Sequence, residues 1–195
     1  GTAKFHHTAT ESVGPDAIKR CFAIPEINGL DSLYFLRLEL KDKTAKTISL
    51  NWYWLSKTED SLNWKKSTWF YTPQSAYTNY QGLQNLPQTQ IKISNTSEKS
   101  GAESIQHIRV TNTGKAIAFL VHLRVLKNKN GQDILPVIFD DNYLLLAPGE
   151  TRNIDCHYLN KDAVGANPYI LASAWNLDAS GSIAGKNMGF TNELR

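Results

Sequence analysis

Apolar residues recur at every second position along much of this chain, and turn residues interrupt the pattern at intervals. The densest stretch spans residues 105–158. It holds Ile108 and Val110, the turn Asn112-Thr113-Gly114, and the run Ile117, Phe119, Val121, Leu123, Val125. Leu144, Leu145 and Leu146 follow, then Pro148-Gly149-Glu150, then Ile154, Cys156 and Tyr158. Period two broken by Gly, Pro and Asn predicts antiparallel strands of a β-sandwich.

Around that stretch the pattern predicts strands at 89–95, 103–111, 117–126, 134–139, 143–146, 151–158 and 169–176. A sandwich of immunoglobulin type needs about seven strands and ~100 residues, so residues 87–178 read as one complete sandwich. In its third strand Ile117, Phe119, Val121, Leu123 and Val125 form the expected core face. Ala118, Leu120, His122 and Arg124 are expected to face outward or lie under a loop.

The region before it is shorter of strands. Residues 3–10 give a modest strand, Val13-Gly14-Pro15-Asp16 a turn, and Ile18, Phe22 and Ile24 one face of a second strand. Tyr34, Leu36, Leu38 and Leu40 alternate cleanly, Asp42-Lys43-Thr44-Ala45 turns the chain, and Ile48, Leu50, Trp52 and Trp54 alternate again, which predicts a hairpin. About four strands do not close an immunoglobulin-type sandwich. The expectation is a partial domain whose opening strands precede Gly1; a chain beginning with Gly and not Met predicts a processed start or a fragment. Residues 57–86 then form an aromatic connector among Ser, Thr, Asn and Gln, with room for a short helix over 75–86. The expected division is thus 1–86, 87–178 and a Gly-containing tail, 179–195, held by Met188 and Phe190.

Composition changes this picture little. At 41% hydrophobic and 20% charged residues the chain is an ordinary globular protein. A net charge of +3, with Lys and Arg scattered among Asp and Glu, is no nucleic-acid footprint. No run approaches the ~20 apolar residues of a membrane helix. Cys21 and Cys156, without CxxC spacing, read as two buried or half-buried free thiols.

The chemistry-bearing residues form no catalytic set. Asp140-Asp141-Asn142 suits an Asx turn at a strand end; a calcium loop would draw more acidic ligands. His107, His122 and His157 fall on outer strand faces without a zinc pattern. Neither a GxSxG elbow nor a phosphate-binding Gly loop is present. No catalytic residue, metal ligand or cofactor is expected. The substrate-binding candidates are aromatic: Trp64, Trp69 and Tyr71 in the connector, and Trp175 beyond the last core positions. Each admits two readings, packing against protein or stacking on a sugar ring.

The connector carries more than composition. The runs Asn51-Trp52-Tyr53-Trp54-Leu55-Ser56, Leu62-Asn63-Trp64 and Trp69-Phe70-Tyr71-Thr72-Pro73-Gln74-Ser75-Ala76-Tyr77 resemble the C-terminal part of family 2 glycoside hydrolases of the exo-β-D-glucosaminidase and β-mannosidase type. The resemblance continues through Asn112-Thr113, Ala118-Phe119, Ile134-Leu135-Pro136-Val137, Asp141-Asn142, Pro148-Gly149-Glu150-Thr151 and Ser173-Ala174-Trp175-Asn176. Asn79-Tyr80 and Ala174 depart from it, where relatives tend to have Asp-Leu and Gly, and these leave the sugar open. The resemblance implies an all-β chain of immunoglobulin-like sandwiches, one complete and C-terminal, the other truncated at its N-terminus. It implies a parent enzyme whose catalytic carboxylates sit in a (β/α)8 barrel that this chain packs on and supports. Further implications are a β-linked glucosamine or mannose substrate and a secreted or periplasmic location. The other function class left open is a carbohydrate-binding module.

Overall fold

The alternating segments become strands, but only where a neighbour exists to pair with. The structure is a computed structural model that describes residues 3–178; the tail over 179–195, with Met188 and Phe190, lies outside the described residues. The chain divides into two compact units, Gly1–Asn85 and Leu86–Arg195.

In the first unit β1 (Leu33–Lys41) and β2 (Thr47–Ser56) form the expected hairpin, with Leu36 opposite Tyr53 and Leu38 opposite Asn51. The Asp42 carboxylate closes its turn. It accepts from the Thr44 amide at 2.8 Å, the Thr44 hydroxyl at 2.7 Å and the Lys46 amide at 3.0 Å, while Ala45 takes a positive φ of 64°. A shorter pair follows, β3 (Ser61–Leu62) with β4 (Gln74–Ala76). The helix expected over 75–86 is a single 3-10 turn, Gln81–Asn85. The two strands expected over residues 3–10 and 18–24 do not form: residues 3–32 hold only turns, a bend and chain without regular structure. Alternation alone does not make a strand, because its amides need a ladder partner.

No described residue of the first unit is buried. Leu38, Leu40, Ile48, Tyr53 and Trp54 all stand exposed on the hairpin. The Trp52 indole Nε1 is enclosed yet has no acceptor. Two strands cannot cover their own apolar face. Cys21, expected at least half-buried, is exposed for the same reason.

The second unit is the sandwich. One sheet runs β5-β6-β10-β8 and the other β11-β7-β9. The strands are β5 (Ile91–Ser100), β6 (Glu103–Asn112), β7 (Ala118–Leu126), β8 (Ile138–Phe139), β9 (Leu144–Leu146), β10 (Thr151–Leu159) and β11 (Tyr169–Ser173). All ladders between them are antiparallel. The four-plus-three division is that of an immunoglobulin-like sandwich. Ile91, Ile108, Val110, Ile154 and Cys156 of the first sheet meet Val121, Leu123, Val125, Leu146 and Ile170 of the second in one core. Each fully buried side chain of this size contributes about 1.5–3 kcal/mol.

One phase expectation is wrong. Ala118, placed outward by alternation, is 0% exposed and belongs to the core, while Ile117 is only half-buried. Leu120 takes φ +52°, and the β7–β9 register shifts between Ala118 and Val121. That bulge flips the inward phase within one strand, so Ala118 and Val121 both point into the core.

Candidate functional site

The most exposed aromatic side chains sit on the β3–β4 hairpin of the first unit. The hairpin is built from short polar bonds. The Asn63 amide donates to the Pro73 carbonyl at 2.8 Å, and the Ser67 and Thr72 hydroxyls meet at 2.7 Å. At the tip, the Thr68 amide donates to the Tyr71 carbonyl at 2.8 Å, and the Tyr71 amide donates back to the Thr68 hydroxyl at 3.2 Å. Thr68 and Tyr71 thus clasp each other and push Trp69 and Phe70 outward. Trp69 is 93% exposed and Phe70 74%. Their ring centroids lie 5.0 Å apart with planes at 67°, an edge-to-face pair. A 3-10 turn, Trp64–Lys66, forms the shoulder; it sets Lys65 and Lys66 beside Trp64, which is 71% exposed.

The connector aromatics do not pin the chain to a core. Trp64, Trp69, Phe70, Tyr71, Tyr77 and Tyr80 are all exposed, because the first unit offers no buried site to receive them. The structure gathers Trp64, Trp69 and Tyr71 on one hairpin. Trp175 stands in the other unit, 58% exposed, in the turn after β11 with its amide donating to the Phe119 carbonyl at 2.9 Å. Phe70 is the residue that sequence reasoning left off the site. The signal was the pairing of Thr68 with Tyr71 and Thr72-Pro73 around two adjacent aromatics, a turn signature.

The acidic and imidazole candidates are structural. Asp140 Oδ1 accepts from the Asp155 amide at 3.1 Å, and Asp141 Oδ1 from the Asn142 amide at 2.8 Å. Among the described residues no group of three or more His, Cys, Asp or Glu could hold a metal ion. His107 sits on β6 between β5 and β10, its Nδ1 2.9 Å from Asp155 and its Nε2 3.7 Å from Glu98. The Asp155 hydrogen bond raises its pKa. His122 stacks on Tyr143 with centroids 4.5 Å apart and planes at 5°; burial and then the Arg124 charge lower its pKa. Beside it the Arg124 guanidinium grips Asp133 through two bonds, 2.9 and 2.7 Å, which holds the Asp133 carboxyl below its usual range. These histidines do not converge. Cys156 is 1% exposed, and burial pushes its thiol up to about 12.

The residues that carried the resemblance within the second unit turn out to be joints. Asn112, 0% exposed, uses every polar position of its amide. Its Nδ2 donates to the Ala116 and Leu146 carbonyls at 2.8 and 2.9 Å; its Oδ1 accepts from the Thr89 hydroxyl at 2.9 Å and the Gly114 amide at 3.0 Å. Asn176 donates to Pro87 and Ile117 carbonyls and accepts from the Phe119 amide. Asn142 pairs with both backbone groups of Leu123, extending the β7–β9 ladder with a side chain. Glu150 closes its own Pro-Gly turn by accepting from the Ala147 amide and from Arg152 Nε.

The β-sandwich matches a known family. The model of the exo-β-D-glucosaminidase immunoglobulin-fold domain covers residues 69–177. The chain belongs to that family. It is 38% identical to an exo-β-D-glucosaminidase of Amycolatopsis orientalis over 182 residues, covering 90% of this chain and 17% of the relative. An exo-β-D-glucosaminidase of Streptomyces avermitilis is 31% identical over 90% of this chain and 20% of its own. The crystal structure of the Amycolatopsis orientalis exo-chitosanase CsxA superposes with a TM-score of 0.77 at 34% identity, covering 84% of this chain and 19% of that one. The chain therefore spans about a fifth or less of the relatives it matches, and its immunoglobulin-like fold is shared with them.

Proposed function

We propose that this chain is the non-catalytic C-terminal immunoglobulin-like region of a family 2 glycoside hydrolase acting on β-linked glucosamine. The observation that carries the reading is the 38% identity over 90% of this chain to an exo-β-D-glucosaminidase of which it covers 17%. Hydrolysis of a glycosidic bond needs two carboxyl groups flanking it. In this reading they lie in a (β/α)8 barrel elsewhere in the parent chain, and the present region packs on that barrel and supports it. The first unit's uncovered apolar hairpin is consistent with packing against further protein. Export of the parent enzyme belongs to the same proposal, since a polymeric chitosan substrate lies outside the cell.

The test compares the full parent chain with residues 1–195 on chitosan oligomers, an aryl β-glucosaminide and an aryl β-mannoside. The parent is expected to cleave the glucosaminide in preference to the mannoside, and residues 1–195 to cleave neither. Turnover by residues 1–195 above blank, or an inactive parent, overturns the reading.

A second reading makes the region a carbohydrate-binding module with Trp64, Trp69, Tyr71 and Trp175 as stacking platforms. Their exposure of 58% to 93% favours it. Phe70 stands at 67° to Trp69, so the hairpin tip offers a sugar one ring face at Trp69 and not a continuous two-ring platform.

A further inference from the structure

We infer that the Trp69–Phe70 tip is a protein anchor: an aromatic wedge that seats in an apolar, acid-rimmed recess on another domain of the parent chain. The inference deepens the proposed function and rests on it, because it names the element through which this region grips the rest of the enzyme.

Three observations carry it. The first is preorganisation. The clasp between Thr68 and Tyr71, the Ser67–Thr72 hydroxyl pair and the Asn63–Pro73 bond hold the tip in one shape before anything binds. A rigid loop loses little entropy on docking. The second is ring geometry. Trp69 at 93% exposure and Phe70 at 74% stand edge to face at 67°, so together they present a corner and not a plane. A corner fills a concave pocket, and a buried aromatic in such a pocket is the commonest interface hot spot. A sugar platform is a plane.

The third is charge. Lys65 and Lys66 sit on the shoulder of the same hairpin, next to Trp64. A glucosamine polymer carries ammonium groups, and two lysines at the rim repel it. The same lysines complement carboxylates around a protein recess. The occupant is sought in the parent chain because this chain spans 17% and 20% of its two enzyme relatives, so most of such a protein lies outside it.

The test uses the full-length parent enzyme. Hydroxyl-radical footprinting compares oxidation of Trp69 and Phe70 in the folded enzyme with a peptide of residues 61–76. An anchored wedge is fully desolvated, so both residues are expected to oxidise about tenfold more slowly in the enzyme, with or without chitosan oligomer. Oxidation at the peptide's rate overturns the inference, as does protection that appears only when oligomer is added, which would mark a sugar site. The second arm is the Trp69→Ser, Phe70→Ser double variant of the parent. Losing a hot spot is expected to raise trypsin cleavage after Lys65 and Lys66 by about 30-fold, whereas Trp175→Ser leaves it unchanged. An unchanged rate in the double variant also overturns it. Glycosidase activity of the parent is read separately. A parent that is inactive on glucosaminide sinks the proposed function whatever the footprint shows, and an active parent with an open Trp69 sinks only the anchor.

Discussion

Asn112 is the residue whose replacement tests most sharply how the sandwich is held. It ends β6 in one sheet, and its side chain reaches the Leu146 carbonyl on β9 of the other. Asn112→Ala removes four hydrogen bonds of 2.8 to 3.0 Å from a site with 0% exposure. At about 0.5–1.5 kcal/mol each the loss would be about 2–6 kcal/mol. Three of the four abandoned groups keep a second partner: the Gly114 amide still donates to the Gln90 carbonyl at 3.2 Å, and the Thr89 hydroxyl and the Ala116 carbonyl still bond each other at 3.0 Å. The expected loss is therefore about 2–4 kcal/mol. Asn112→Asp separates hydrogen bonding from volume. The shape is unchanged, but two donors become lone pairs aimed at two carbonyls, in a site where an unpaired charge is costly. It is expected to destabilise at least as much as the Ala variant. The assay is native-state hydrogen exchange at the amides of Ile108, Val121 and Leu123, whose protection reports the opening free energy of the second unit without interference from the first. An Asp variant whose protection falls by less than about 1 kcal/mol, the worth of a single bond, would refute the idea that these bonds join the sheets.

His107 carries a raised pKa because it gains Asp155 on folding. Its contribution is complete below the unfolded value of about 6.5 and fades as pH rises through the higher folded value. The pair is 42% and 57% exposed, so the effect is worth no more than about 1 kcal/mol. An NMR titration should place the imidazole above 6.5 and show it falling in Asp155→Asn; no change in that variant would refute the assignment. Thiol labelling at neutral pH should modify the exposed Cys21 quickly and leave Cys156, with its thiol pushed up to about 12, unmodified until the chain unfolds; equal rates would contradict the core placement. Gly114→Ala should cost about 3 kcal/mol by overpacking, since a Cβ there meets the Thr89 hydroxyl oxygen at 2.1 Å and the Gln90 amide nitrogen at 2.8 Å. Gly149→Ala, at φ +76° with open space around it, should cost about 1–2 kcal/mol from conformation alone. Denaturant midpoints that reverse this order would refute the packing argument.

The resemblance motifs within the second unit show why a family signature need not mark chemistry. Asn112, Asn142 and Glu150 look like turn residues in the sequence, and Asn176 like the end of a strand. Each is instead a joint, and its partners can be distant: Asn112 reaches Leu146, 34 positions on, and Asn176 reaches Pro87, 89 positions back. A polar residue beside a turn is ambiguous until the fold brings carbonyls to it. The aromatic hairpin was half legible for the same reason. Trp64, Trp69 and Tyr71 stood out by type, but whether they were buried depended on whether the first unit had a core to bury them in.

Local period and motif order were enough to place the β1–β2 hairpin, the strands of the second unit, the turns between them and the membership in a family. Alternation, turn chemistry and motif order are properties of neighbouring residues. Tertiary structure alone decided which alternating segments found a partner, so residues 3–10 and 18–24 remained unpaired. It also decided where β7 changed phase, at the Leu120 bulge, which turned Ala118 inward. And it decided which asparagines became joints and which aromatics stood out on the hairpin. Those outcomes rest on ladder partners, buried acceptors and available core, which the chain acquires only from residues far away along it.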